Sequence, residues 1–158
     1  MKSAIVYYSY SGNTKQVAET LAEYLRAKGE VACLRIKPLD EPYNFFKQGA
    51  RAFKRVRAKI SEPTFDLSGY DLICLGSPVW AFGPAPAMNT YLDDCQGVAN
   101  KEVILFYTYG SGLGKERCAD YMQELLTKKG VTNLKRFSVQ QIRVKDKEYV
   151  LSAIKKII

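Results

Sequence analysis

The residues best suited to chemistry form one short run, Ser9-Tyr10-Ser11-Gly12-Asn13-Thr14. It follows the apolar stretch Ala4 to Tyr7 and opens an amphipathic stretch, Lys15 to Lys28. A strand, a tight hydroxyl-rich loop and a helix start in that order gather unpaired main-chain N–H groups around one small anion. A helix N-terminus also carries about half a positive charge. The hydroxyls of Ser9, Ser11 and Thr14 and the amide of Asn13 add short donors, and Gly12 permits the tight turn. Simple helix capping requires one such residue, whereas five of the six positions from 9 to 14 are Ser, Gly, Asn or Thr. The loop is read as a cradle for a phosphate monoester, the tail of a bound cofactor.

Two further loops follow strand-like runs. The first is Gly76-Ser77-Pro78-Val79-Trp80-Ala81-Phe82-Gly83-Pro84, which holds the only tryptophan of the chain. Two large aromatics above a strand end call for something flat to cover. The second is Thr108-Tyr109-Gly110-Ser111-Gly112-Leu113-Gly114, whose three glycines allow main chain to approach a ligand closely. Neither loop is a dinucleotide fingerprint or a hydrolase elbow: the glycine spacing is wrong for the one, and Tyr109 stands where the other needs glycine. No Gly-x-x-x-x-Gly-Lys triphosphate loop occurs. Taken together, the three loops describe a pocket for a flat heteroaromatic ring with a phosphorylated tail.

Composition narrows the chemistry. The chain has no histidine, which excludes Ser-His-Asp and Cys-His catalysis and His-ligated metals. Cys33, Cys74, Cys95 and Cys118 are isolated in sequence, without a Cys-x-x-Cys pair, and are expected to be reduced thiols in a cytoplasm. No metal ligation is expected. Chemistry must then come from other side chains, the backbone or a bound cofactor. The apolar runs are strand-sized, so no membrane insertion is expected, and Met1-Lys2-Ser3 leads into a strand without room for a leader. The formal charge of +8 favours either solubility or acidic partners.

The elements that must position these loops alternate along 158 residues, read as a single domain, 1–158. Strands are predicted at Ala4–Tyr8, Val31–Ile36, Asp71–Leu75, Val103–Thr108 and Leu134–Val139. Helices are predicted at Lys15–Lys28, Tyr43–Ile60, Pro84–Asp94, Lys115–Lys129 and Glu148–Ile158. Such alternation indicates an α/β fold with a parallel sheet covered on both faces, a three-layer sandwich. Ligands of such sheets bind beyond the carboxyl ends of the strands, which is where all three loops fall.

With these motifs in view, the chain resembles the flavodoxin family in its short-chain form. Ser9 to Thr14 is similar to the family's Ser/Thr-x-Thr/Ser-Gly-Asn-Thr phosphate loop. Gly76 to Trp80 resembles the loop that lays an aromatic on the flavin, and Tyr109 to Gly112 the loop that reads the pyrimidine edge. The resemblance implies a five-stranded sheet of order 2-1-3-4-5 and noncovalent flavin mononucleotide (FMN). It implies that Ser9, Tyr10, Ser11, Gly12, Asn13 and Thr14 hold the phosphate and that Trp80 and Tyr109 flank the ring. Ser77, Pro78, Val79, Ala81, Phe82, Gly83, Thr108, Gly110, Ser111 and Gly112 then complete the pocket. A carbonyl near Ala81, Phe82 or Gly83 would accept the proton at flavin N5, with Gly83 allowing a peptide flip. The chain departs from the family in being basic where typical electron-carrying flavodoxins are acidic around the flavin. Negative surroundings disfavour a reduced anionic flavin; here that effect is expected to be weak unless Asp93, Asp94 or Glu116 lies close.

One more segment stands out. Lys47, Arg51, Lys54, Arg55, Arg57 and Lys59 occur without an intervening acid. On a helix whose apolar stripe, Phe46, Ala50, Phe53 and Ile60, faces inward, they would form a solvated face or a docking surface for an acidic redox partner. Nucleic acid is the least favoured partner, because no binding motif accompanies the run. The leading reading is a cytoplasmic FMN-binding protein that transfers electrons between partner proteins. The alternatives are an NAD(P)H-dependent quinone or acceptor reductase and a cofactor-free module using the basic face. A phospho-receiver would need acids after the first strand, and a low-molecular-weight tyrosine phosphatase a cysteine where Ser9 stands.

Overall fold

The three central strands of a five-stranded parallel sheet carry continuous apolar runs, and the burial pattern shows why. In the computed structural model, which describes residues 1–41, 44–61 and 63–158, alternate side chains of each central strand enter separate cores on the two faces of the sheet. The strands are β1 (Lys2–Tyr7), β2 (Glu30–Arg35), β3 (Leu72–Trp80), β5 (Glu102–Tyr109) and β6 (Asn133–Gln140). A two-residue strand, β4 (Gly83–Pro84), folds back antiparallel on the end of β3. The sheet order is β2-β1-β3-β5-β6, with β4 outside this path. Counting only the parallel strands, this is the expected 2-1-3-4-5 arrangement; the short antiparallel arm is the addition.

On one face, Ile5, Cys74, Ile104 and Phe106 pack against Leu21 and Leu25 of α1 (Asn13–Arg26) and Val150 and Ile154 of α5 (Lys147–Lys155). On the other, Val6, Ile73, Leu75 and Leu105 meet Met88, Tyr91 and Leu92 of α3 (Pro86–Asp94) and Met122 and Leu126 of α4 (Lys115–Lys128). Burying both faces is what demands continuous rather than alternating hydrophobicity.

The segment between β2 and β3 departs from expectation. Its helix, α2, covers only Phe45–Phe53; the predicted start at Tyr43 lies outside the described residues. Asn44 caps α2, its Oδ1 accepting from the Phe46 and Lys47 amides at 2.9 and 3.4 Å. The helix is closed by a 6→1 hydrogen bond from the Val56 amide to the Arg51 carbonyl (2.9 Å), with Arg55 left-handed at φ 54°. The run Lys47 to Lys59 is therefore half helix and half extended return. The return leg is tied to the outgoing one by a bridge between Pro38 and Ile60 and by the Leu39 amide donating to the Lys59 carbonyl at 2.7 Å.

The predicted stripe is also inverted. Phe46 and Phe53 are 87% and 62% exposed, and Ala50 is exposed, whereas Gln48 and Ala52 face the interior. Ending the helix at Phe53 removes Ile60 from helical register, and small Ala52 allows α2 to lie close on α3 and β4. Three of the basic residues are used internally. Arg51 pairs with Asp40 at 2.9 Å, Arg57 pairs with Asp93, and Arg55 reaches the Phe82 carbonyl. Lys47, Lys54 and Lys59 remain exposed.

Candidate functional site

The carboxyl ends of β1, β3 and β5 open into a cavity of about 630 Å³. It lies where strand order reverses between β1 and β3, the place such sheets use for ligands. Its lining comes from all three loops: Tyr10, Ser11, Asn13 and Thr14; Pro78, Val79, Trp80, Ala81 and Phe82; and Thr108, Tyr109, Gly110, Ser111 and Gly112. Leu113 and Gln141 also line it.

At one end stands the start of α1. Gly12 is the residue before the helix, at φ 92°, and has no side chain with which to cap it. The Ser9 hydroxyl accepts from the Lys15 amide at 3.2 Å. Among the described residues, none accepts from the main-chain amides of residues 10 to 14. The first turn of α1 therefore presents bare N–H donors to the cavity, with the partial positive charge of the helix behind them. Ser9 itself is buried and shapes the loop from beneath instead of lining the cavity. Its carbonyl accepts from Arg35 Nη2 at 3.0 Å, which places a guanidinium against the outer side of the loop. The Thr14 and Thr108 hydroxyls join at 2.9 Å, tying the start of α1 to the end of β5.

The second predicted loop is only partly a loop. Gly76 to Trp80 continue β3, and Ala81 and Phe82 are the two central residues of a hairpin that pairs Trp80 with Gly83. Both central residues have positive φ, 45° and 67°. This matches the twist of a two-residue hairpin, but it is a turn normally given to Asn and Gly. Ser77 is fully buried; its hydroxyl accepts from the Ala85 amide at 3.0 Å and donates to the Pro78 carbonyl, so it anchors the hairpin from behind. Gly83 is buried as well, and neither residue lines the cavity. Trp80 stands between Tyr8 and Tyr10, edge-on to both, with centroids at 5.6 and 5.8 Å.

Opposite, Tyr109 is half-buried with the Lys115 ammonium over its ring, 4.8 Å from the centroid. Gln140 Nε2 donates to the Gly110 carbonyl at 3.1 Å and fixes the glycine loop. A Cβ on Gly114 would stand 2.0 Å from the Phe82 ring, so glycine there lets the hairpin tip rest on the start of α4.

Among the described residues no acidic side chain lines the cavity. Asp93 is paired with Arg57, and Glu116 lies 3.4 Å from Arg136 and 4.0 Å from Lys115. No cysteine is among the described lining residues. Burial, the dominant cause, pushes the Cys118 thiol up to about 12 and the Cys95 thiol up to about 11. Among the described residues no cluster of three or more metal-ligating side chains occurs, and no helix is long and apolar enough to cross a membrane.

Sequence reasoning missed Leu113, Gln141, Arg35 and Arg55. Gln141 follows the carboxyl end of β6 and Arg35 ends β2, so the strand-end rule reaches both. Arg55 acts across 27 residues to Phe82, and nothing local signals it.

The architecture and this crevice define a class: doubly wound α/β proteins whose strand ends hold an anion at a helix start beside a flat, aromatic-walled slot. The flavodoxin family model matches residues 2–138, and the chain belongs to that family. Solved structures agree in fold. A flavoprotein in complex with FMN from Lactobacillus acidophilus NCFM is 23% identical, with 93% of this chain and 98% of that one covered and a TM-score of 0.66. Oxidised flavodoxin 2 from Bacillus cereus is 21% identical, with 99% of each chain covered and a TM-score of 0.62. Among curated proteins, an NAD(P)H dehydrogenase (quinone) from Gluconacetobacter diazotrophicus is 29% identical over 104 residues. That match takes in 66% of this chain and 51% of the relative, so the chain spans about half the length of the curated relative it matches.

Proposed function

We propose that this chain binds FMN noncovalently in the crevice and transfers electrons between partner proteins. The observation that carries this reading is the row of unclaimed amides at residues 10 to 14, at one end of a cavity walled by Trp80 and Tyr109. The donor set fits the group. Main-chain N–H groups with the Ser11 hydroxyl and the Asn13 amide suit a phosphate monoester, the Thr14 hydroxyl being tied to Thr108, and two aromatics suit a flat ring. Ser9, Ser77 and Gly83 hold the loops from outside the cavity, while Gly12 supplies main chain. The flavin supplies one- and two-electron chemistry when bound; the chain supplies position, exclusion of water and charge. A described lining without acidic groups, with Arg35 and Lys115 beside it, stabilises added negative charge more than an acidic lining does.

Reconstitution of flavin-free protein tests the reading directly. One equivalent of FMN should be taken up to give a yellow complex with quenched flavin emission. Failure to take up FMN at micromolar concentration removes the proposal. Riboflavin, which lacks the phosphate, should bind far more weakly.

A second reading, an NAD(P)H-dependent reductase of quinones or related acceptors, is favoured by the Gluconacetobacter relative. Rapid bleaching of the flavin by NADPH alone selects the enzyme; bleaching only through a separate reductase selects the carrier. For the carrier, the exposed Lys47, Lys54 and Lys59 and the +8 charge support an acidic partner in a cytoplasm. Its association should weaken steeply with salt, and a delivery rate indifferent to ionic strength counts against it.

A further inference from the structure

Three non-glycine residues with left-handed backbones meet at one contact. Arg55 has φ 54°, and Ala81 and Phe82 have φ 45° and 67°. For residues with a Cβ this conformation is unfavourable, and it persists where surrounding structure enforces it. The enforcing contact is Arg55 Nη2 donating to the Phe82 carbonyl at 3.2 Å. The guanidinium is held on its other side by the Tyr121 ring, 4.1 Å from centroid to Cζ. Its second nitrogen, Nη1, is buried and has no hydrogen-bond partner among the described residues. That nitrogen fills the space beside Gly83: a Cβ there would stand 1.5 Å from it. Gly83 itself has ordinary φ, so glycine at 83 serves the arginine and not the backbone.

We propose that Arg55 is a positioning residue for the second wall of the cavity. From the segment inserted between β2 and β3 it grips the Phe82 carbonyl and holds the Ala81–Phe82 turn in its left-handed form at the cavity rim. The turn is thereby fixed at three points: the Trp80–Gly83 pair, the Phe82 ring on Gly114, and this guanidinium. The Phe82 carbonyl, one of three candidates for facing flavin N5, is committed to Arg55, which does not line the cavity. The Phe82–Gly83 peptide cannot turn over without breaking that bond.

Hydrogen exchange on flavin-free protein tests the clamp independently of any cofactor. Arg55→Ala should speed amide exchange at Trp80 to Gly83 about ten- to hundredfold beyond any change in global stability, the range for losing a hydrogen bond from a charged donor. Gly83→Ala, whose methyl displaces Nη1, should reproduce this effect with Arg55 intact. In the Arg55→Ala background, Gly83→Ala should add nothing, because the space is then free. A silent Gly83→Ala, fully multiplicative effects in the double variant, or a loss of global stability without faster turn exchange each overturns the proposal.

A second arm rests on the flavin reading. Both single variants should weaken FMN binding about tenfold, in line with the same lost bond. If wild type binds FMN and both variants bind it equally well, Arg55 does not position the wall. If wild type binds no FMN while the exchange cycle holds, the flavin reading fails and the clamp stands.

Discussion

The bridge between Thr14 and Thr108 allows a quantitative test of how the crevice is held. Their hydroxyls are 2.9 Å apart, with the residues 1% and 3% exposed, so neither oxygen has ready access to water. Thr14→Val preserves shape and leaves the Thr108 hydroxyl buried without its partner. Leaving one buried polar group unsatisfied costs about 1–3 kcal/mol, whereas replacing both partners by apolar groups of the same shape is close to neutral. Each single valine variant should therefore lose about 1.5 kcal/mol, and the double variant no more than either single one. For a urea slope of about 2 kcal/mol/M, each single change lowers the unfolding midpoint by roughly 0.75 M. Far-UV circular dichroism melts of the four flavin-free proteins close the cycle. Single losses below about 0.3 kcal/mol, or a double variant that loses the sum, would falsify the view that this pair is a closed, water-free link between the loop after β1 and the glycine loop.

Other outcomes follow from the packing and charge of the same molecule. Cys33 is the exposed cysteine, and Cys74, Cys95 and Cys118 are buried, so native protein should be alkylated at one thiol and denatured protein at four. Partial desolvation of the sulfur outweighs the opposing Arg26 and, with a smaller contribution from Glu19, raises the Cys33 thiol above its usual 9.0, so its reaction should be slow at pH 7 and accelerate through pH 9 and beyond. A second thiol reacting at the Cys33 rate in native protein contradicts the packing. Gly76→Ala places a methyl 2.1 Å from the Phe106 ring and should cost about 1–3 kcal/mol by overpacking, read from the urea midpoint. Asp146, whose carboxylate accepts from the Tyr149 amide and pairs with Arg143, is held below the usual aspartate value of 3.8. Its contribution is complete above that value and is lost as pH falls through the depressed one. Asp146→Asn, which still caps α5 but does not titrate, should therefore show a flatter loss of stability between pH 5 and 2. An identical acid profile in both proteins refutes that assignment.

The parallel sheet was legible because burial on two faces leaves unbroken apolar runs of strand length: Ala4 to Tyr8 and Val103 to Tyr107 are apolar without a break. The uncapped turn after β1 was legible because Gly12, Asn13 and Thr14 lie within one turn of one another. Legibility failed where distant parts compete for a segment. Phe46, Ala50 and Phe53 have helical spacing, yet the interior beneath α2 accommodates Ala52 and Gln48, and the aromatic side faces water. Periodicity identifies a stripe and not its direction. Gly76 to Trp80 read as a loop because glycine and proline punctuate it, but pairing with β5 carries the strand through both. Arg55 shows no local sign at all, since its partner is Phe82.

That extension of β3 has a mechanical consequence. One unbroken run of backbone joins Leu72, at the base of the core, to Trp80 at the rim, with its rungs registered against Glu102 to Thr108. The indole is thus the last tooth of a rack cut in the molecule's interior. A slip of a single rung would exchange every side chain between the two faces of the sheet and expel both cores at once. With the hairpin tip pinned by Arg55 as well, this wall meets an incoming ring as one piece with the sheet itself.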